Sequence, residues 1–127
     1  MNIIQELKYS KDHEWVKFEG NTATIGITDF AQHNLGEIVY VELPKMDAEL
    51  NAGDAMGVVE SVKSASDIYT PVKGRVVRVN DALSDSPEKI NSEPYESWIA
   101  VLQLEGGAAE DGLMRASEYE AFCKSEE

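Results

Sequence analysis

The sequence predicts a mainly β protein, a sandwich or flattened barrel with short helices at its edges and a C-terminal helix. Three observations carry that prediction. Short runs rich in Val, Ile, Thr and Tyr recur along the chain, each bounded by Gly, Pro, Asn or Asp. A length of 127 residues, of which 43% are apolar, suits one domain with a modest core, so residues 1–127 are taken as a single unit. Helix-start signatures are confined to two places, Asp29 with Gln32 and Ser117 with Glu120.

Taken in order, residues 1–8 form a lead-in whose Ile3, Ile4 and Leu7 have helical spacing. Tyr9 to Phe18 and Thr22 to Ile27 alternate about Glu19-Gly20-Asn21, which predicts a hairpin. A capping box from Asp29 to Gln32 and a stop at Gly36 predict a short helix over Phe30 to Leu35. Ile38 to Leu43 reads as a strand, ended by Pro44, which has no N–H for a ladder. Asn51 to Asp54 is a turn. Arg75 to Val79 is expected as a strand beside the segment that precedes it, and residues 80–97 as a long polar loop with a helical turn. Trp98 to Leu104 resumes as a strand that Gly106-Gly107 ends. The final helix is expected over Glu118 to Lys124, with Tyr119, Phe122 and Cys123 turned inward.

Between Asp54 and Arg75 the chain runs Gly57 to Gly74 through two β-prone stretches that meet at a polar tip holding Lys63. A turn centred on Lys63-Ser64 sets Glu60 opposite Asp67, a repulsive cross-strand pair. An exposed lysine ordinarily signals only solvation. Here one amine stands at the apex of a hairpin that fixes its address.

The charge is strongly acidic. Eleven Lys and Arg against 24 Asp and Glu give a formal −13, which disfavours nucleic acid and anionic membranes as partners. No run approaches the ~20 apolar residues of a membrane span. Cys123 is the single cysteine, so the chain forms no internal disulfide, which fits a reducing compartment. The first residues lack the features of a secretory signal or an arginine-rich presequence, so the expected address is the bacterial cytoplasm, or the mitochondrial matrix of a eukaryote. His13 and His33 make no metal-ligand pattern, and no metal is expected. No phosphate loop, nucleophile elbow or Cys-x-x-Cys is present, so nothing joins a nucleophile to its base.

The stretch Glu60-Ser-Val-Lys-Ser-Ala-Ser-Asp-Ile-Tyr-Thr-Pro-Val-Lys-Gly74 resembles the lipoyl-lysine hairpin of the glycine cleavage H-protein family. The resemblance extends over His13-Glu14-Trp15, Gly26 to Ala31, Leu35 to Pro44, Val79-Asn80, Asp85-Ser86-Pro87 and Tyr119 to Phe122. It implies a lipoyl/biotinyl-domain-like β-sandwich and a carrier rather than an enzyme, with lipoate attached to Lys63. It also implies a shuttle that takes the aminomethyl group of glycine from a pyridoxal-phosphate glycine decarboxylase to a folate-dependent aminomethyltransferase. A flavin-containing dihydrolipoyl dehydrogenase then reoxidises the carrier, and a lipoylating enzyme installs the arm. A monomer is expected. Glu60 and Asp67 are candidate recognition residues for that enzyme, with Gly74 associated with correct lipoylation. His13, Glu14 and Trp15 are candidates for a cleft that shelters the loaded arm, Glu14 and Asp67 supplying carboxylates and Trp15 a wall. A solvated Glu14, a core Trp15 and a Gly74 that permits a tight turn or positive φ are the structural alternatives. A lipoyl relay to other carriers is a second role on the same lysine. A biotin carrier is a third reading, against which stand Val62 and Ser64 where biotin carriers have methionines; 2-oxo acid dehydrogenase lipoyl domains carry an acidic residue where this chain has Val62. An independent hydrolase using His13 and Glu14 lacks a triad or metal set.

Overall fold

The computed structural model describes residues 1–105 and 112–126. The expected stop at Gly106-Gly107 lies outside them. Among the described residues, nine strands form two antiparallel sheets. The larger contains β1 (Lys8–Tyr9), β2 (Glu14–Glu19), β3 (Thr22–Ile27), β5 (Glu49–Leu50), β8 (Gly74–Val79) and β9 (Ala100–Leu104), in the order β1-β2-β3-β9-β8-β5. The smaller is β4 (Ile38–Glu42), β6 (Ala55–Ser61) and β7 (Ala65–Tyr69), in that order. Helices are α1 (Asp29–Leu35), α2 (Ala82–Asp85), α3 (Lys89–Ser92) and α4 (Ala116–Glu126).

Alternation along β2 explains why the protein has two cores. Val16 points between the sheets and joins Ile25, Val41, Val59, Ile68, Val76 and Leu102 in an aliphatic layer. Its neighbour Trp15 points the other way, into an aromatic layer with Tyr9, Tyr119 and Cys123 beneath α4. Tyr9 and Tyr119 stack there at 4.4 Å between ring centroids. Gly26, paired with Trp15 across β2 and β3, leaves the indole its place: a Cβ there would lie 2.6 Å from the ring.

Several expectations shift. Residues 1–7 form no helix, because their apolar side chains fold onto the aromatic layer and Tyr9 Oη bonds both the N–H and the C=O of Ile4. The cap of α1 is Thr28, whose hydroxyl accepts from Ala31 N at 3.2 Å, while Asp29 engages Gln32 side chain to side chain. At α4 the first-turn partner is Glu118, accepting from Arg115 N, and the helix runs longer than expected at both ends. Tyr119 and Cys123 are buried and Phe122 half-buried. The polar stretch 80–97 holds α2 and α3, each pinned by one buried side chain, Leu83 and Ile90. Finally, β8 does not lie beside the lysine hairpin. It pairs with β9 and β5 in the opposite sheet, because the turn at Thr70 to Lys73 carries the chain across the sandwich.

Candidate functional site

Strands β6 and β7 form the hairpin whose tip carries Lys63. The observed register pairs Glu60 with Ala65, Val59 with Ser66 and Val58 with Asp67. The turn is therefore centred on Val62-Lys63, one residue earlier than the sequence suggested. Ser61 is the reason. Its hydroxyl accepts from Lys63 N at 3.3 Å and Ser64 N at 3.1 Å, and its N–H donates to Ser64 O at 2.7 Å. Glu60 consequently does not face Asp67. The two share the outer face as diagonal neighbours, at a separation of roughly 7–8 Å, where repulsion is weak.

The tip rests on a shelf. Val62 N donates to Glu37 O at 3.1 Å, and the aliphatic end of Lys63 lies over Gly36, whose missing side chain leaves room: a Cβ there would sit 3.5 Å from Lys63 Cε. Gly36 also closes α1, with φ 85°. Asn91 of α3 fixes this corner from below. Its Nδ2 donates to Gly36 O and Gln32 Oε1, and its Oδ1 accepts from Ile38 N at 2.8 Å. Lys63 itself is exposed, and its ammonium has no ion-pair partner among the described residues. A primary amine so held meets the two requirements for acylation, access and a fixed address.

At the other end of β7 stands Glu14, only 2% exposed. It lies on the same face of β2 as Val16, so its carboxyl reaches across to the smaller sheet. Oε1 accepts from Ser10 Oγ at 2.6 Å and Oε2 from Tyr69 N at 3.2 Å. Burial pushes its pKa up to about 7, against the pull of these two donors. Asp67 is exposed two residues away on β7, and the Tyr69 hydroxyl approaches it at 3.5 Å. Tyr69 thus touches both carboxylates, through its backbone and its phenol.

His13, Glu14 and Trp15 are not gathered in one place. His13, at φ 66°, turns toward α4: Nδ1 lies 2.8 Å from Tyr119 Oη and Nε2 lies 2.7 Å from Glu126 Oε1. Tyr119 Oη also meets Thr28 Oγ1 at 2.6 Å, so His13 and the cap of α1 share one phenol. Trp15 is buried in the aromatic layer and donates from Nε1 to Pro94 O at 3.1 Å. It forms no wall beside Glu14, since adjacent strand residues face opposite sides. Gly74 does not have the positive φ of a tight turn. It is needed for space, because a Cβ there would lie 2.5 Å from Gln103 O on β9. Ser10, Tyr69, Ser61 and Asn91 escaped the sequence reading. Of these only Ser61, a hydroxyl three residues before Ser64 in a turn, left a local signal.

Among the described residues no cluster of His, Cys, Asp and Glu could hold a metal, and no helix is long and apolar enough to cross a membrane. Along the flank of α1, Asp29, Phe30, His33 and Asn34 line a cavity of about 480 Å³ that Met1 and Glu126 help close.

Residues 7–126 match the family model described as Glycine cleavage H-protein. The chain is 58% identical over 126 residues to a glycine cleavage system H protein of Thermoanaerobacter pseudethanolicus, an alignment covering 99% of this chain and 100% of that one. A relative with the same description from Staphylococcus haemolyticus is 54% identical over 120 residues, 94% of this chain and 95% of its own. Among solved structures, a glycine cleavage system H protein from Mycobacterium marinum superposes with a TM-score of 0.86 at 34% identity, covering 94% of this chain and 97% of the other.

Proposed function

Since the chain belongs to the glycine cleavage H-protein family and is a non-catalytic lipoyl carrier of the glycine cleavage system, we propose that Lys63 bears the lipoyl group and that residues 1–127 work as one carrier domain. The observation that carries the assignment is the tip itself, an exposed lysine on a turn organised by Ser61 and seated on Gly36 and Glu37. In attachment, the neutral Nζ attacks the acyl carbon of an activated lipoyl phosphoric anhydride. An amide forms, the phosphate leaves with the bonding pair, and one proton is released. When bound, the lipoyl group supplies a cyclic disulfide, the chemistry by which the carrier takes the aminomethyl group from glycine decarboxylase, yields it to the aminomethyltransferase and is reoxidised through dihydrolipoyl dehydrogenase. Its address, with bacterial relatives, is the cytoplasm of a bacterium.

Glu14 is the residue we assign to the loaded arm. Four residue steps along β7 lead from Ala65 to Tyr69, so the arm has about 13 Å of strand to cover from the tip end of β7 to Tyr69, which bonds the Glu14 carboxyl. A carboxyl held near a pKa of about 7 is divided between its two forms at neutral pH. A cationic amine brought beside it draws it to the carboxylate, and burial strengthens that attraction. Asp67, joined to the same place through Tyr69, adds a second, exposed carboxylate. Glu60, one turn from the tip on the outer face, and Gly74, which lets β8 close on β9, are assigned to recognition and to hairpin geometry respectively.

The test of attachment is peptide mapping by mass after incubation with lipoate, ATP and a lipoate–protein ligase. The lipoyl mass is expected on the peptide holding Lys63. Lipoyl mass on another lysine, or none, overturns the assignment.

A further inference from the structure

Val39, Tyr40 and Val62 are exposed by 49%, 50% and 68%, three of the five large apolar side chains so exposed among the described residues. They sit together at one corner of the smaller sheet. The ladder pairs Ile38 with Ser61 and then Tyr40 with Glu60, so Val39 is the extra residue of a β-bulge. Without the bulge, alternation would bury the residue two after Ile38. With it, Val39 and Tyr40 are both exposed before Val41 turns inward. Val62 continues the same ladder at the tip, bonded to Glu37.

Carboxylates surround these side chains. Glu60 pairs with Tyr40, Glu42 and Asp67 both pair with Val58, and Glu37 flanks Val62. All four are exposed, and none has an ion-pair partner among the described residues. Apolar side chains on the edge of a sheet ringed by unpaired charge of one sign suit a protein partner rather than solvent alone. A second copy of this chain, at a formal −13, would bring the same charge to the contact.

We propose that the bulged edge of β4, through Val39 and Tyr40 together with Val62, is the apolar docking surface for the lipoylating enzyme, which presents lysines or arginines to Glu37, Glu42, Glu60 and Asp67. The inference rests on Lys63 as the attachment site. Reach selects this occupant. An unmodified lysine extends no further than its own side chain, and the end of that side chain already lies over Gly36. An enzyme that acylates it must bring the acyl carbon to the tip and cover what adjoins it.

The experiment measures lipoylation of the unmodified full chain by a lipoate–protein ligase with ATP and lipoate, read by intact mass over time at several carrier concentrations. The double variant Val39→Ser/Tyr40→Ser is expected to raise KM about tenfold with kcat and thermal midpoint unchanged, as loss of an apolar anchor does. Met46→Ser, an equally exposed apolar residue elsewhere, is expected to match wild type. Added salt is expected to raise the wild-type KM. If the double variant melts early, Val62→Ser at the turn carries the same test. A KM within about twofold of wild type, or a fall in kcat alone, overturns the docking surface while leaving Lys63 in place. A wild-type chain that gains no lipoyl group at Lys63 overturns the attachment reading and the docking surface with it.

Discussion

The two ends of strand β7 hold the two groups to which chemistry is assigned, and they are built in opposite ways. At the tip, Lys63 is exposed, and its position follows from a turn made by its immediate neighbours and a shelf of backbone atoms. At the base, Glu14 is almost fully buried, and two pieces of chain meet on its carboxyl: the β1–β2 connection through Ser10, four residues before it, and β7 through Tyr69, fifty-five residues after it. Exposure leaves the amine available to an enzyme. Burial raises the pKa of the carboxyl to about 7. On the proposed assignment, one end is modified and the other responds to what the modification brings.

The largest effect expected on this contrast comes from Lys63→Arg. A guanidinium stays protonated and is no acyl acceptor, so lipoyl uptake should vanish while stability shifts by less than about 0.5 kcal/mol. Intact mass and thermal melting measure both. A large loss of stability would show that the tip, too, depends on tertiary packing and would break the contrast.

Glu14→Gln sharpens it from the other end. The folded-state pKa of Glu14, about 7, lies above the ordinary value of 4.5, so the folded protein holds this proton more tightly than the unfolded chain. Its contribution is fully present below about pH 4.5 and is lost as pH rises through about 7, a difference of at most about 3 kcal/mol. In the Gln variant the amide oxygen can accept from Tyr69 N while the amide nitrogen donates to Ser10 Oγ, so the seat stays filled. Urea unfolding at pH 5 and pH 8 should show a smaller pH dependence than wild type. An unchanged pH slope would mean that the burial of this carboxyl carries no linkage.

A smaller effect is expected from Asn91→Ala, which removes three hydrogen bonds beneath the tip. The stability loss should be about 2 kcal/mol by denaturant titration, with the Glu14 pH slope preserved. The smallest belongs to Asp67→Ala. Because Asp67 pairs with Val58 and not Glu60, stability should stay within about 0.5 kcal/mol of wild type. A gain of more than 1 kcal/mol, on the order of a direct like-charge pair, would contradict the register.

What the sequence determined by itself is what neighbours in the chain decide. The β2–β3 hairpin about Gly20-Asn21, the short helix α1 with its stop at Gly36, the end of β4 before Pro44 and Lys63 at a tip all follow from periodicity and turn chemistry over a few residues. So did the likeness of the lysine stretch to a family, which the full-length match extends to residues 7–126. Where two local choices were nearly equal, local reading slipped by one residue: Thr28 or Asp29 as cap, Val62-Lys63 or Lys63-Ser64 as turn. Tertiary structure alone decided the rest. The placement of β8 in the opposite sheet, the parting of Glu14 from Trp15 and the seat that Ser10 and Tyr69 make for a buried carboxyl depend on which strands stack face to face. Glutamate is exposed by default, and only the approach of β7 across the sandwich removes water from Glu14 and supplies the N–H that replaces it. Sequence spacing has no term for a distance set by two sheets.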